Sequence, residues 1–129
     1  MNIKGSFEVQ MTAEPPFDTV DGVALGRARF DKQFGGALTA TSKVEMLSVR
    51  SEGTQSGAYV AVERISGTID GKAGTFALVH LGLSDRGARS LTVQIVPESG
   101  TGELKGIRGA MTIDISDGKH HYALDFVID

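Results

Sequence analysis

"ESGTGELKGIRG", Glu98 to Gly109, is the stretch on which the fold turns. Its glycines at 100, 102, 106 and 109 surround a single turn's worth of helix-forming residues, a pattern open to two readings. A dinucleotide fingerprint needs Gly-x-Gly-x-x-Gly between a strand and a helix, so that helix N–H groups reach a pyrophosphate. Here the spacing is Gly-x-Gly-x-x-x-Gly, the following "IRGAMTIDIS" continues as strand, and no Gly-Lys-Ser/Thr is present. The stretch therefore reads as a corner between two strands. Thr101 is the expected N-cap, Glu103 complements the dipole of the first turn, and Gly106 ends the turn in the left-handed conformation. Leu104 and Ile107 supply the hydrophobic contact that accompanies such a cap.

Outward from this corner, short β-rich runs alternate with turn signals, as in an all-β sandwich or barrel. Eight strands are expected, roughly Ile3 to Thr12, Leu25 to Phe34, Ala37 to Val49, Ala58 to Ile69, Thr75 to Leu83, Ala88 to Val96, Ala110 to Ile115 and Lys119 to Ile128. "AEPPFDTVDG" and "SEGTQSG" read as loops, and no amphipathic segment of helix length occurs. The 129 residues suffice for one core, so the expectation is a single β-barrel domain over residues 1–129, an eight-stranded antiparallel barrel. Closure is favoured because it removes aggregation-prone strand edges.

Composition narrows the partners. A net charge of −3 without a Lys/Arg cluster gives no electrostatic footprint for nucleic acid or an anionic membrane. No cysteine is present, so disulfides and thiolate metal sites are excluded, and "MNIKGSFEVQ" lacks the apolar core of a secretory signal. The expected location is cytoplasmic, and the expected partner a small molecule.

The hairpins can be registered. Asp117-Gly118 signals a type I′ turn that pairs Ile113 with Tyr122 and Met111 with Leu124, a core face that also collects Ile115 and Phe126. A turn centred on Gly35-Gly36 puts Phe30, Phe34, Thr41 and Glu45 on one face. In "TIDGKAGTF", a turn at Gly71-Lys72 sets Glu63 opposite His80, whereas a turn at Asp70-Gly71 sets Glu63 opposite Leu78 with His80 one pleat away. Both registers keep Glu63 and His80 neighbours on one face. "TFALVHLGL" is apolar on both faces, which implies an outer face covered by a terminal segment or another subunit; a homodimer or higher homo-oligomer is expected.

The residues also carry a resemblance. "VPESGTGELKGIRGAMTI", with "AYVAVERISGTIDGKAGTFALVHLG" and the closing "YALDF", resembles the bacterial family called domain of unknown function 3224, from Gly5 onward. The same corner is similar to one in plant allene oxide cyclases, which implies an eight-stranded barrel related in shape to lipocalins. That relative cyclises an unsaturated epoxide in an apolar cavity, but no catalytic set of it can be matched here, and the family label carries no activity.

Two functional classes follow from the residues. The first is a binding module for a small, mostly apolar molecule with one charged anchor, Glu63 or Glu45, and with Tyr59, Phe30, Phe76 and Tyr122 lining the interior. The alternative is a cofactor-free proton-transfer enzyme, an isomerase or cyclase, using Glu63 and His80 as an acid/base pair; desolvation raises the pKa of a carboxylate in an apolar barrel. No metal is expected: His120 and His121 are adjacent on a strand and point to opposite faces. No nucleophile elbow is present either.

Overall fold

Alternation of apolar and polar side chains runs along nearly the whole chain. In the computed structural model, which describes residues 1–129, it becomes nine strands. These are β1 (Asn2–Ala13), β2 (Asp18–Val20), β3 (Val23–Phe34), β4 (Leu38–Ser51), β5 (Ser56–Ile69), β6 (Lys72–Asp85), β7 (Ala88–Ile95), β8 (Ile107–Ser116) and β9 (Lys119–Ile128). A lone 3-10 turn, Gly102–Leu104, interrupts them. From β3 to β9 each strand pairs antiparallel with the next. β1 closes the ring, pairing β9 through Asn2 to Phe7 and β3 through Phe7 to Ala13. β2 only extends the line of β1 along β3, so the closed barrel has eight strands, as expected. No helix is long and apolar enough to cross a membrane.

β2 falls inside the segment read as a loop. Its turn, Asp21-Gly22, carries two positive φ angles, as do Asp70-Gly71 and Asp117-Gly118. That is the type I′ geometry, in which glycine at the second position avoids a Cβ clash and the turn's twist matches that of the strands. The Asp117-Gly118 hairpin has the expected register, Ile113 against Tyr122 and Met111 against Leu124.

Inward-facing residues of the lower barrel form the core. Leu38, Ile65, Ile69, Phe76, Leu78, Ile95, Leu104, Ile107 and Leu124 are at most 1% exposed. Each contributes about 1.5–3 kcal/mol by leaving water. The Gly-rich corner closes this end by seating Leu104 and Ile107 there, and Gly106 is left-handed as predicted. Two of its residues act differently from the helix-cap reading. The Thr101 hydroxyl makes no cap; it accepts from the Thr75 N–H at 3.1 Å and meets the Thr75 hydroxyl at 2.7 Å. The Glu103 carboxylate accepts from the Ala73 N–H. The reason is the edge of β6: β7 pairs only with Leu78 to Asp85, so the corner must satisfy β6 below that point. Ser99 does the same for the Ala77 N–H at 2.9 Å.

The wall has one weak joint. β7 and β8 share two paired positions, Val93 with Met111 and Gln94 with Ala110, whereas β4 and β5 share fourteen. Above those two pairs the strands diverge. Ile115, assigned to the core face, is consequently 63% exposed: its orientation is inward, but no strand covers it from the β7 side.

Candidate functional site

The site begins with the Asp70-Gly71 turn. It selects the second of the two registers, placing Glu63 opposite Leu78 and His80 opposite Ala61. On strands with period two, both side chains then face the interior, one pleat apart. Glu63 is 2% exposed and His80 3%. The His80 Nε2 lies 2.8 Å from Glu63 Oε1.

Two further residues complete the cluster. Lys32 Nζ donates to Glu63 Oε1 at 3.1 Å, and the Ser42 hydroxyl donates to Oε2 at 2.6 Å. The Lys32 ammonium also lies 4.8 Å from the centre of the Phe7 ring, a cation–π arrangement that offsets part of its desolvation. Burial pushes the Glu63 pKa up, but the His80 hydrogen bond, the Lys32 charge and the Ser42 hydroxyl outweigh it and hold the carboxyl below the usual range. The desolvation-raised carboxylate expected from the sequence is therefore corrected. Glu63 is an ionised, fully engaged anchor.

Because ionised Glu63 can only accept, His80 Nε2 carries the proton of that bond. In the neutral ring Nδ1 is then an acceptor. Nδ1 has no partner within the chain, and every fully enclosed side-chain nitrogen and oxygen has one, so Nδ1 faces space that water can enter. Tyr59 stands over the imidazole with ring centres 6.3 Å apart. Burial, and then the Glu63 charge, raise the phenol pKa, so the hydroxyl stays protonated. Its position depends on Gly82, its cross-strand partner: a Cβ there would come within 2.3 Å of the Tyr59 ring. Above this level Phe30, Met46 and Ile113 occupy inward-facing positions and are only partly buried, and Leu91 on the same face is exposed, so the upper barrel forms a mouth lined by apolar side chains.

The remaining predicted residues are distributed differently. Phe76 and Tyr122 belong to the sealed core, not to the mouth, at 0% and 2% exposure. The Tyr122 hydroxyl accepts from the Leu38 N–H at 3.0 Å and donates to the Gly35 carbonyl at 2.8 Å, which ties the β3–β4 connection across the barrel floor. That tether explains the largest correction. Gly35-Gly36 does not make a two-residue turn, because Phe34 pairs with Ala40 and only Gly36 has a positive φ. The register slips by three residues from the expected one, and an odd slip exchanges the faces of β4. Ser42 and Val44 face inward in place of Thr41 and Glu45. Glu45 lies on the outer wall, 2.9 Å from Arg29.

Lys32 and Ser42 were not anticipated. Lys32 had a signal, since it stands between Phe30 and Phe34 and strand alternation carries all three inward. Ser42 had none without the β4 register. A groove of about 490 Å³ crosses the wall over β1, β3, β4 and β5, where Glu8, Asp31, Lys43 and Arg64 mix both charge signs and where Lys32 and Ser42 of the cluster also contribute to the lining.

Fold and site define a closed antiparallel barrel with a buried ionic cluster beneath an apolar mouth. The chain belongs to the DUF3224 family, described as proteins of unknown function, whose model matches residues 3–126. A solved structure from Shewanella oneidensis MR-1, described as a protein with unknown function from the same family, is 39% identical and superposes with a TM-score of 0.94. The match covers 100% of this chain and 98% of that one. No curated protein matches the chain.

Proposed function

We propose that the barrel binds a small, mostly apolar molecule bearing a hydroxyl or N–H group, with its apolar body in the mouth. The observation that carries this reading is the unpartnered His80 Nδ1, on a ring held through Nε2 by the anchored Glu63 and with the Tyr59 ring centre 6.3 Å away. A ligand hydroxyl donates to Nδ1 and accepts from the phenol, while Phe30, Met46 and Ile113 supply dispersion contact. Glu63 fixes the imidazole tautomer instead of touching the ligand, as an orienting carboxylate does. The likeness of the corner to that of allene oxide cyclases is in keeping with an apolar interior site. The proton-transfer alternative is the weaker one, because a carboxylate already holding Lys32, His80 and Ser42 is a poor base.

Titration with 1-naphthol and with naphthalene tests this by NMR of the His80 ring. We expect 1-naphthol to bind at least about tenfold more tightly, the worth of roughly one buried hydrogen bond, and His80→Phe to abolish the difference. Glu45→Gln should leave both affinities unchanged. Absence of 1-naphthol binding, or binding that does not move the His80 resonances, overturns the proposal.

A further inference from the structure

The outer wall of β4, β5 and β6 carries an aliphatic surface that nothing in the chain covers. Strand register arranges it in rows: Leu47, Val60 and Leu81 lie side by side, with Val62 and Val79 in the row below and Val49 and Leu83 in the row above. Each of these side chains is 41–60% exposed. Together they present about 500 Å² of apolar surface, near the top of what monomers leave open and enough for the apolar centre of an interface of ~800 Å² per partner. The outer faces of β1, β3, β8 and β9 instead expose Lys4, Glu8, Asp31, Asp114 and Asp125. The apolar surface is thus a patch on one side and not the girdle of a bilayer-spanning barrel.

We propose that this face joins two copies of the chain in an isologous dimer whose two-fold axis runs along the Leu47, Val60, Leu81 row. Charge selects both the partner and the axis. Arg64 lies four residues from Val60 along β5 on one side of that row, and Asp85 lies four residues from Leu81 along β6 on the other. Neither has an ion-pair partner within its own chain. A two-fold axis across the strands reverses the second copy, so Arg64 of each meets Asp85 of the other, twice per dimer. An axis along the strands sets Arg64 against Arg64. The self-complementary arrangement therefore fits a second copy of this chain better than an unrelated partner.

Sedimentation of the full chain, taken up to about 100 μM, reads the outcome directly. The expected species has twice the 13.6 kDa mass of the chain. Leu81→Lys, at the patch centre, should weaken association roughly 100-fold or more with an unchanged far-UV spectrum, since it buries an unpaired charge only in the dimer. Arg64→Asp should also weaken it, and adding Asp85→Arg should restore it. A wild-type protein that stays monomeric overturns the proposal, and one that in addition binds phosphatidylcholine vesicles assigns the patch to a lipid surface instead. A dimer that survives both Leu81→Lys and Val60→Lys overturns it as well. Should the lysine variants lose the folded spectrum, failure of the charge-reversed pair to restore association is equally decisive.

Discussion

Replacing Glu63 by Gln removes one charge and almost no volume, so it isolates the electrostatics of the cluster. Three donors converge on this carboxylate, and two of them, Lys32 and His80, have side chains only 8% and 4% exposed. Breaking a buried ion pair from one side costs about 3–5 kcal/mol because the stranded charge stays desolvated. The amide oxygen of Gln keeps one acceptor, which points to the lower end, ~3 kcal/mol. With an unfolding entropy of about 2.1 cal/mol/K per residue over this chain, that lowers Tm by roughly 11 °C. The pH dependence supplies the sharper check. The folded pKa of Glu63 is depressed, so its stabilisation is complete above the unfolded carboxylate value, ~4.3, and is lost as pH falls through the folded value. Urea unfolding of both proteins from neutral to strongly acidic pH should show a gap that is constant above about pH 5 and closes below it. A gap that instead widens as pH falls would mean that Glu63 is not ionised in the folded barrel, and the account of His80 as a fixed tautomer would fall with it.

Gly82→Ala forces the Tyr59 ring from its seat and should destabilise by about 1–3 kcal/mol in a thermal melt, most of which disappears when Tyr59→Ala is already present. Tyr122→Phe strands the Leu38 N–H and the Gly35 carbonyl, so a loss of about 1–2 kcal/mol is expected, with faster hydrogen exchange at the Leu38 amide than in the parent.

What could be read in advance follows the range of the interaction. The eight barrel strands and the Asp117-Gly118 hairpin register are local matters of alternation and turn chemistry, and they come out as expected, with the short β2 the one strand not foreseen. The Glu63 and His80 neighbourhood was legible for the same reason, since either turn preserved it. The β4 register was not. It is settled by Tyr122, more than 80 residues away along the chain, whose hydroxyl holds the β3–β4 connection in a longer form than its two glycines imply. From that one distant contact follow the outward Glu45, the inward Ser42 and hence one of the three donors around Glu63. The roles of Thr101 and Glu103 were hidden likewise: a cap residue and an edge-strand partner use the same side-chain oxygens, and only the shortness of β7 decides between them.

The two-pair joint between β7 and β8 gives the barrel a direction of breathing. Elsewhere a strand can leave its neighbour only by surrendering a long ladder, but here two paired positions separate the closed cylinder from a curled sheet that is still intact on its other seven sides. Opening at this place is a local event that surrenders only those two pairs, so the amides that bond across the joint, among Val93, Gln94, Ala110 and Met111, should lose their deuterium protection before those of the long ladders. Leu91 and Ile113 flank the joint on the inner face, so an opening there exposes the apolar lining to solvent from the side while every hairpin stays folded.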